Sequence, residues 1–294
     1  MTITATPERA VLEEACSAVG LVTVGAEALR IAENQVWRLP GNVIARISRP
    51  GQMPAAVKEV RVARWLAESG IPVVRPLDAE QPVVALGYPV TFWTELPPHG
   101  PGTVMDVAEV LTRIHALPVP EGFELGRLEP FVRLEERIDS ASTLSADDRQ
   151  WLHQLRRGLH AQWGFRPAGR PDCPVHGDAW VGNVVRTATG RTVMDLERFS
   201  VGPPEWDLVS TAVKLTTTGT VTADEYAEFC RVYGADVTEW EGYALFADIR
   251  TLRMVTYAAL HAAGHPEWTA QAQYRVDCLR GRAGPRPWRW RGIM

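Results

Sequence analysis

Cysteine and lysine are both scarce in this chain of 294 residues. The cysteines are far apart in the sequence and form no C-x-x-C pair: Cys16, Cys173, Cys230 and Cys278. This spacing argues against a disulfide framework and against a zinc site, and we interpret all four as buried thiols. Lys58 and Lys214 are the only lysines among 31 basic residues, so almost every cation of this protein is an arginine.

Long apolar runs and an excess of positive charge are also missing. No apolar stretch approaches the roughly 20 residues that span a bilayer, and the opening MTITATPERA lacks the basic segment and apolar run of a secretory leader. The formal net charge of -4 argues against a general nucleic-acid-binding protein. We therefore expect a cytoplasmic protein with no membrane and no nucleic acid as partner.

The first third of the sequence alternates short apolar runs with turn residues, a pattern typical of strands. A hairpin is expected around the Pro-Gly-Asn turn at 40–42, and apolar residues at helical spacing predict one helix over 55–69. GYPVTFWTEL predicts a further strand, and PPHGPG at 97–102 then breaks the chain. We therefore place a domain boundary there, between an N-terminal lobe (1–96) and a C-terminal lobe (97–294).

Beyond that boundary the hydrophobic periodicity becomes helical. Three pairs of residues, each three positions apart, are typical of helix N-termini: Thr103 and Asp106, Ser145 and Asp148, and Thr222 and Glu225. The exception is a segment in which VVRT and TVMDL flank a turn at 189–190, which predicts a short hairpin. A sheet-rich part followed by a helical part predicts an α+β protein.

Five polar residues lie within or close to this hairpin: His176, Asp178, Asn183, Asp195 and Glu197. Carboxylates beside apolar strands are costly unless cations or donors compensate them, so such a cluster either binds a metal or is tied into hydrogen bonds. Its donors are mainly oxygen atoms, which suits Mg²⁺ better than zinc or iron. Because Mg²⁺ with few protein ligands completes its shell with water and phosphate, nucleotide chemistry is our hypothesis.

The same region carries an ordered series of motifs: His176-Gly177-Asp178, Asn183, Asp195, Gly202 and Asp207. Together with WLAESGIPVVRPL at 65–77 and LTRIHAL at 111–117, this series resembles the aminoglycoside phosphotransferase and choline kinase family, whose members are relatives of the protein kinases. The resemblance covers most of the chain. It implies a two-lobed, protein-kinase-like fold with a nucleotide between a small antiparallel-sheet lobe and a larger, mostly helical lobe.

The resemblance also implies roles for the polar residues. Asp178 is similar to the catalytic aspartate that orients the acceptor hydroxyl and takes its proton, and Asn183 and Asp195 are similar to the magnesium ligands. His176 is expected to orient the loop through hydrogen bonds. Glu197 would lie two residues beyond Asp195 on a strand and project to the same side, where it either assists a second metal or forms a structural salt bridge.

The N-terminal lobe departs from the kinase pattern at its phosphate-binding cation. Kinases usually place a lysine on the third strand, paired with a helix glutamate. The corresponding strand here reads VIARIS, in which Arg46 is the only cation, and Glu59 on the following helix is the candidate partner. An alternative is that Arg46 is a surface strand residue. Arginine can bind phosphate through two hydrogen bonds, but with a geometry different from that of lysine.

Two further segments are nucleotide-binding candidates. The loop over the phosphates is expected at 32–35, which includes Asn34 and contains no glycine, so it is not a G-x-G-x-x-G motif. Glu95 and Leu96 resemble the hinge whose backbone would meet the adenine edge. The side chains at the hinge carry little information about this contact.

The acceptor pocket is expected in the helical lobe. Residues 201–250 hold nine acidic and three basic residues, which favours a polycationic acceptor such as an aminoglycoside, unless these acids only form solvated helix faces. Glu205 is the candidate substrate contact because it lies close in sequence to the metal segment.

Three functions compete at this level. The favoured one is a kinase that uses ATP or GTP, with Mg²⁺, to phosphorylate a hydroxyl of a small molecule such as an antibiotic, a sugar or an amino alcohol. A non-catalytic nucleotide-binding relative is the first alternative, because the usual lysine and a glycine-rich loop are both missing. A metal-dependent phosphoester hydrolase is the second, although such a site needs several histidine ligands and only His176 is near.

Overall fold

The computed structural model describes residues 7–31 and 34–292, and its architecture is α+β. The strands are β1 (Glu27–Ile31), β2 (Gln35–Leu39), β3 (Val43–Ile47), β4 (Val83–Ala85), β5 (Tyr88–Thr94), β6 (Gly100–Pro101), β7 (Cys173–Val175), β8 (Val184–Thr187), β9 (Gly190–Val193) and β10 (Ser200–Gly202). The helices are α1 (Pro7–Ala18), α2 (Met53–Glu68), α3 (Val104–His115), α4 (Leu134–Asp139), α5 (Ala146–Trp163), α6 (Glu205–Val213), α7 (Ala223–Tyr233), α8 (Tyr243–Gly264) and α9 (Thr269–Leu279). A π-helical turn, Lys214–Thr218, follows α6 directly.

The N-terminal strands form one antiparallel sheet with the order β1-β2-β3-β5-β4. The predicted hairpin is confirmed: β2 and β3 pair across the turn at 40–42, where Gly41 and Asn42 have φ values of 83° and 59°. These residue types tolerate the left-handed conformation that the turn requires. One face of the sheet packs against α1 in a core that includes Leu12 and Phe92.

Helix α2 links this sheet to the rest of the protein, and it confirms the helix predicted between the strands. Its residues Val60 and Leu66 are buried in the same core as the apolar residues of the C-terminal helices. On the same helix, Lys58 Nζ donates a hydrogen bond of 3.1 Å to the carbonyl oxygen of Phe199. The boundary after residue 96 stays a prediction, because this core extends across it.

The C-terminal part is mainly helical, and its helices begin at the predicted capping pairs. Thr103 and Asp106 form a reciprocal capping box at the start of α3, and Thr222 and Glu225 form another at α7. Ser145 caps α5 by accepting a hydrogen bond from the N–H group three residues on. Within the described part of the chain, no helix is sufficiently long and apolar to span a membrane.

The predicted short hairpin is β8 and β9, which form a three-stranded sheet with β6. Its last pair joins Val184 to Val193, so the chain beyond Val193 has no partner strand and leaves the sheet. Asp195 therefore lies after the strand, with a φ of 59°. The expectation that Asp195 lies on the strand, with Glu197 on the same side by strand alternation, is wrong for this reason.

Candidate active site

The His176-Gly177-Asp178 turn is held from beneath by one aspartate. Asp207, in the first turn of α6, accepts hydrogen bonds from the backbone N–H groups of His176 at 2.7 Å and Gly177 at 2.9 Å. Gly177 has a φ of 82°, and a Cβ atom there would lie 2.4 Å from the carbonyl oxygen of Arg198. A side chain is therefore excluded at this position, and the turn is fixed in one conformation.

Asp207 is buried and charged. His115 Nε2, at 3.2 Å, is its third partner. Burial alone would raise the pKa of Asp207, but the hydrogen bond from His115, followed by the electrostatic influence of His115, His176 and Arg250, outweighs burial and holds the pKa below its ordinary value. Asp207 is therefore an ionised brace for the turn rather than a proton donor.

His176 connects this turn to the end of β9. Its Nδ1 accepts a hydrogen bond of 3.3 Å from the Asp178 N–H group, and its Nε2 lies 3.1 Å from the Met194 carbonyl oxygen. Because Nδ1 accepts a hydrogen bond, the ring proton is on Nε2, which donates a hydrogen bond to the Met194 carbonyl oxygen. The buried imidazole thus lies where a loop-orienting residue is expected.

The Asp178 side chain is 46% exposed and is held on one side only. Arg250 Nη1 donates to Asp178 Oδ1 at 3.1 Å, while Arg250 Nη2 donates to the carbonyl oxygens of Gly177 at 3.1 Å and Trp206 at 3.3 Å. No other described side chain forms an ion pair with Asp178. Arg250 therefore fixes the carboxylate in place and leaves its second oxygen open to a ligand.

Asn183 joins the turn to the segment that contains Asp195. Its Nδ2 donates to the Asp178 carbonyl oxygen at 3.0 Å, and its own backbone carbonyl oxygen accepts from the Met194 N–H group at 2.9 Å. The first of these bonds uses the amide nitrogen, so the amide oxygen Oδ1 remains available as a ligand atom. Asn183 therefore links the Asp178 turn to the residue before Asp195, and the charge of Asp178 acts on Asp195.

Asp195 carries a negative charge that the protein does not neutralise by contact. Solvent reaches the carboxylate, which forms no hydrogen bond or ion pair with a described residue. Partial burial by the surrounding protein is the largest cause that raises the pKa of Asp195, and the charges of Asp178 and Glu197 act in the same direction. The electrostatic influence of His176 and the charge of Arg46 oppose this shift. A bound cation would relieve this repulsion.

The donor atoms fit a hard cation with few protein ligands. Asn183 offers an amide oxygen and Asp195 a carboxylate, both of which suit Mg²⁺. No group of three or more His, Cys, Asp or Glu side chains in the described ranges could hold a metal ion by itself. A cation at this position would therefore take its remaining ligands from water or from a phosphate group.

Arg46 is electrostatically coupled to Asp195 and contacts two glutamates. Its Nη1 is 2.7 Å from Glu59 Oε1, and its Nη2 is 3.9 Å from Glu197 Oε2. Burial opposes the charge of Arg46, but Glu59, Asp195 and Glu197 outweigh burial and raise its pKa. Glu197 also pairs with Arg198 at 3.4 Å, so its carboxylate lies between two arginines and its predicted metal role stays a prediction.

The expected phosphate loop is described only in part, because Ala32 and Glu33 lie outside the described residues. Asn34 is half-buried directly before β2.

Glu95 and Leu96 follow β5 immediately. The Glu95 carboxylate accepts from Arg38 Nε at 2.6 Å, and the Glu95 N–H group donates to the Asn42 carbonyl oxygen at 2.7 Å. Since the next two residues are prolines, which have no N–H group, Leu96 carries the remaining backbone donor of this segment.

Glu205 lies beneath the surface and is only 4% exposed. Its Oε1 accepts from the Arg170 N–H group at 2.8 Å, while its Oε2 is buried without a partner. A Cβ atom on Gly169 would lie 2.7 Å from Glu205 Oε1, so this glycine allows the chain to cross the carboxylate closely. A substrate contact by Glu205 would require the 169–170 segment to move.

Comparison with known proteins gives this site its context. A family model described as the phosphotransferase enzyme family matches residues 26–246, which include the sheet, the His-Gly-Asp turn and most of the helical part. The chain belongs to this family. Its sequence matches none of the curated proteins with which it was compared.

Solved structures of phosphotransferases share the fold. A choline/ethanolamine kinase family protein from Mesorhizobium loti is 18% identical, covers 92% of this chain and 94% of its own, and has a TM-score of 0.61. The aminoglycoside phosphotransferase APH(3'')-Id from Streptomyces rimosus is 20% identical, with 84% and 99% covered and a TM-score of 0.65. An amicoumacin kinase in complex with AMP-PNP, Ca²⁺ and its antibiotic is 14% identical, with 91% and 93% covered and a TM-score of 0.66. The predicted two-lobed, protein-kinase-like fold is confirmed.

The phosphotransferase fold also brings residues to the turn that the sequence analysis did not identify. His115 and Arg250 come from α3 and α8, far from the motif in sequence. Arg250 lies at a buried position between apolar residues of α8. The sequence signal that could have identified Arg250 is an arginine on the buried face of an apolar helix, because a buried cation needs a partner.

Lys214 is a further residue that the sequence analysis left without a role. Its Nζ lies 4.7 Å from the centroid of the Trp180 ring. Burial lowers the pKa of Lys214 to about 8, with Asp178 opposing this shift and Arg250 adding to it. Lys214 begins the π-helical turn after α6, and such turns are frequent at functional sites.

Proposed function

We propose that the protein is a cytoplasmic small-molecule kinase that transfers the γ-phosphate of ATP or GTP to a hydroxyl group. The observation that supports this proposal is the linkage of three residues that carry oxygen ligands. Asp178 is held by Arg250, Asn183 is bonded to the Asp178 carbonyl, and Asp195 is electrostatically coupled to Asp178 and Arg46 while it forms no hydrogen bond or ion pair with a described residue. Phosphoryl transfer needs an acceptor hydroxyl held in position and positive charge, from a metal ion and an arginine, beside the phosphate oxygens.

The nucleotide would bind between the sheet lobe and the helical lobe. The Leu96 N–H group is suited to the adenine or guanine edge, and Arg46 is suited to the phosphates. Glu59 occupies Arg46 Nη1 at 2.7 Å and so directs the rest of the guanidinium toward Asp195 and Glu197. Arg46 would serve as the permanent cation that a lysine supplies in other kinases.

Asn183 and Asp195 would hold Mg²⁺ together with the β- and γ-phosphates. The ion supplies charge neutralisation and alignment of the phosphate chain when bound. Asp195 is the better ligand of the two because its carboxylate is unpaired in the protein. Glu197 remains a candidate for a second ion.

Asp178 would orient the acceptor hydroxyl through the carboxylate oxygen that Arg250 does not occupy. The negative charge of Asp178 attracts the hydroxyl proton, so the carboxylate can accept this proton as the new P–O bond forms. In-line placement of the hydroxyl contributes more to the rate than removal of its proton. His176 and Asp207 act through the backbone of the turn and are positioning residues. The acceptor belongs, in this proposal, to the antibiotics, sugars and amino alcohols, the classes to which amicoumacin and choline belong.

The test of this function is Asp178→Asn. We expect phosphate transfer to an acceptor to fall at least about 100-fold, because the carboxylate that orients the hydroxyl is lost, while nucleotide affinity changes only a few-fold. Transfer is measured as ADP or GDP formation across a library of hydroxylated acceptors, and nucleotide affinity is measured by calorimetry. Asp224→Asn, an exposed position on α7, is the matched control.

Equal losses of transfer and of nucleotide affinity in Asp178→Asn would contradict the role given to this residue. Nucleotide binding by the wild type without transfer to any acceptor would favour the non-catalytic relative. Release of phosphate from phosphoesters in the absence of nucleotide would favour the hydrolase.

A further inference from the structure

One face of α8 carries two arginines and a tyrosine close to Asp178. Arg250, Arg253 and Tyr257 follow one another at spacings of three and four residues, which places them in a row on this helix. Arg250 contacts Asp178 directly, and Arg253 is one turn further out, with its Nη1 donating to the Pro130 carbonyl oxygen at 2.9 Å. These three residues therefore extend along α8 from Asp178 to the exposed Tyr257.

A second helix adds to the same face. Helix α4 packs against α8, and the Arg137 guanidinium of α4 lies 5.6 Å from the centroid of the Tyr257 ring. Both Tyr257 and the Asp178 carboxylate are substantially exposed, at 42% and 46%. Arg253 lies close enough to both Asp178 and Arg137 for their charges to act on it.

Arg253 lacks a carboxylate partner. No described Asp or Glu oxygen lies within ion-pair distance of its guanidinium, although one neutral carbonyl accepts from it. Burial, and then repulsion from Arg250, Arg137 and Arg198, lower the pKa of Arg253 to about 9, with Asp178 opposing them. At neutral pH Arg253 thus remains charged and is repelled by the neighbouring arginines. A bound anion would reduce this repulsion.

Five of the nine acidic residues counted between 201 and 250 are engaged away from the Asp178 carboxylate. Four of them are used in helix caps and ion pairs: Glu225 caps α7, Glu228 pairs with Arg231, Asp236 accepts from Tyr226 and Thr238, and Asp248 pairs with Arg286. Glu205 is buried under the 169–170 segment. These five residues therefore do not supply negative charge beside Asp178, and Asp207 is used by the backbone of the turn.

We propose that the acceptor carries an anionic group, a carboxylate or a phosphate, beside the hydroxyl that is phosphorylated. Arg253 would bind this group while Asp178 orients the hydroxyl. This inference rests on the proposed kinase function and narrows its acceptor class. A polycationic amino sugar, the expectation drawn from the acidic count, would meet like charges at this face.

The experiment compares four acceptor probes on the full chain with ATP and Mg²⁺: gluconate, glucose 6-phosphate, glucose and kanamycin. Binding is measured by calorimetry in the presence of AMP-PNP, and phosphate transfer by ADP formation. We expect gluconate or glucose 6-phosphate to bind more tightly than glucose, and the stronger of these two identifies the carboxylate or the phosphate as the recognised anion. Kanamycin should bind least.

Substitution of Arg253 tests the same point. Arg253→Glu should weaken binding of the preferred anionic probe at least tenfold and raise its KM, without changing AMP-PNP affinity. Arg253→Gln keeps a donor for the Pro130 carbonyl oxygen and should give a smaller loss, so it serves if the glutamate variant does not fold. Arg157→Glu makes the same change of charge at an exposed position on α5 and should leave binding of the anionic probe unchanged.

The outcomes separate this inference from the function on which it rests. Preferential transfer to kanamycin or glucose would overturn the anionic acceptor and leave the kinase in place, as would anion affinity that is unchanged in Arg253→Glu. Absence of binding by both anionic probes would also overturn it. Anion binding that depends on Arg253 without any phosphate transfer would overturn the kinase function instead.

Discussion

At the residue scale, the site is a local motif completed by distant side chains. His176, Asp178, Asn183 and Asp195 could be identified from the sequence because a turn and a hairpin bring close sequence neighbours together. Arg250 is 72 residues from Asp178, so no spacing in the sequence could reveal their contact. Arg253 and Arg137 were missed for the same reason, and with them the charge of the acceptor side.

Arg46 offers a prediction at this scale. Arg46→Ala should weaken ATP affinity roughly tenfold or more, because a hydrogen bond between charged groups contributes about 1.5–3 kcal/mol, and should leave adenosine affinity nearly unchanged. Calorimetric titration of both ligands measures the difference. Arg61→Ala, an exposed arginine on α2, is the control. Parallel losses for ATP and adenosine would show that Arg46 supports the fold rather than the phosphates.

At the scale of elements, predictions succeeded where the signal was local. The β2–β3 hairpin and the helix caps depend on a few adjacent residues, and all formed where expected. The placement of Asp195 failed because strand length depends on a partner, and the β8–β9 ladder ends at Val193. The π-helical turn at Lys214 has no signature that the sequence analysis could use.

The start of α3 offers a prediction at this scale. Asp106 accepts from the Thr103 N–H group at 2.7 Å and from Arg186 Nε at 2.7 Å, and Asp106→Asn weakens both interactions. We expect the free energy of unfolding to fall by about 1–2 kcal/mol at pH 7, as for other lost helix caps. Urea denaturation measures it, and Asp224→Asn on α7 is the control.

The pH dependence of this loss has a defined sign. Burial opposes ionisation of Asp106, but hydrogen bonds from Arg186 and Thr103 outweigh it and lower the pKa from 3.8 to about 2. The stabilisation is therefore complete above pH 3.8 and is lost as the pH falls toward 2. The difference between wild type and Asp106→Asn should shrink over that interval, and a difference that grows on acidification would contradict this account.

At the scale of the whole molecule, hydrogen bonds as well as the shared core around α2 join the N-terminal part to the helical part. Lys58 bonds to Phe199, and the Val74 N–H group donates to the Val193 carbonyl oxygen at 3.0 Å. Both contacts flank the segment that contains Asp195. A ligand held by Asp195 and Arg46 together would therefore also join the lobes.

Thermal unfolding tests this coupling. ATP with Mg²⁺ at about 100 times its Kd should stabilise the wild type by about 2.7 kcal/mol, which raises Tm by several degrees at most. Asp195→Asn should lose the part of this shift that depends on Mg²⁺, and ATP with EDTA gives the baseline for both proteins. An Mg²⁺-dependent shift that survives in Asp195→Asn would contradict the assignment of Asp195 as a metal ligand.

The shortage of lysine has a practical consequence. The Lys58 amine lies near Glu59 and Glu197, the Lys214 amine lies near Asp178, and burial lowers the pKa of both. At mildly alkaline pH an appreciable part of Lys214 is unprotonated and nucleophilic, while the arginines that carry nearly all other positive charge stay inert to acylation. Amine-directed labelling of Lys214 would thus report on ligand occupancy near Asp178, against a background limited to Lys58 and the α-amino group.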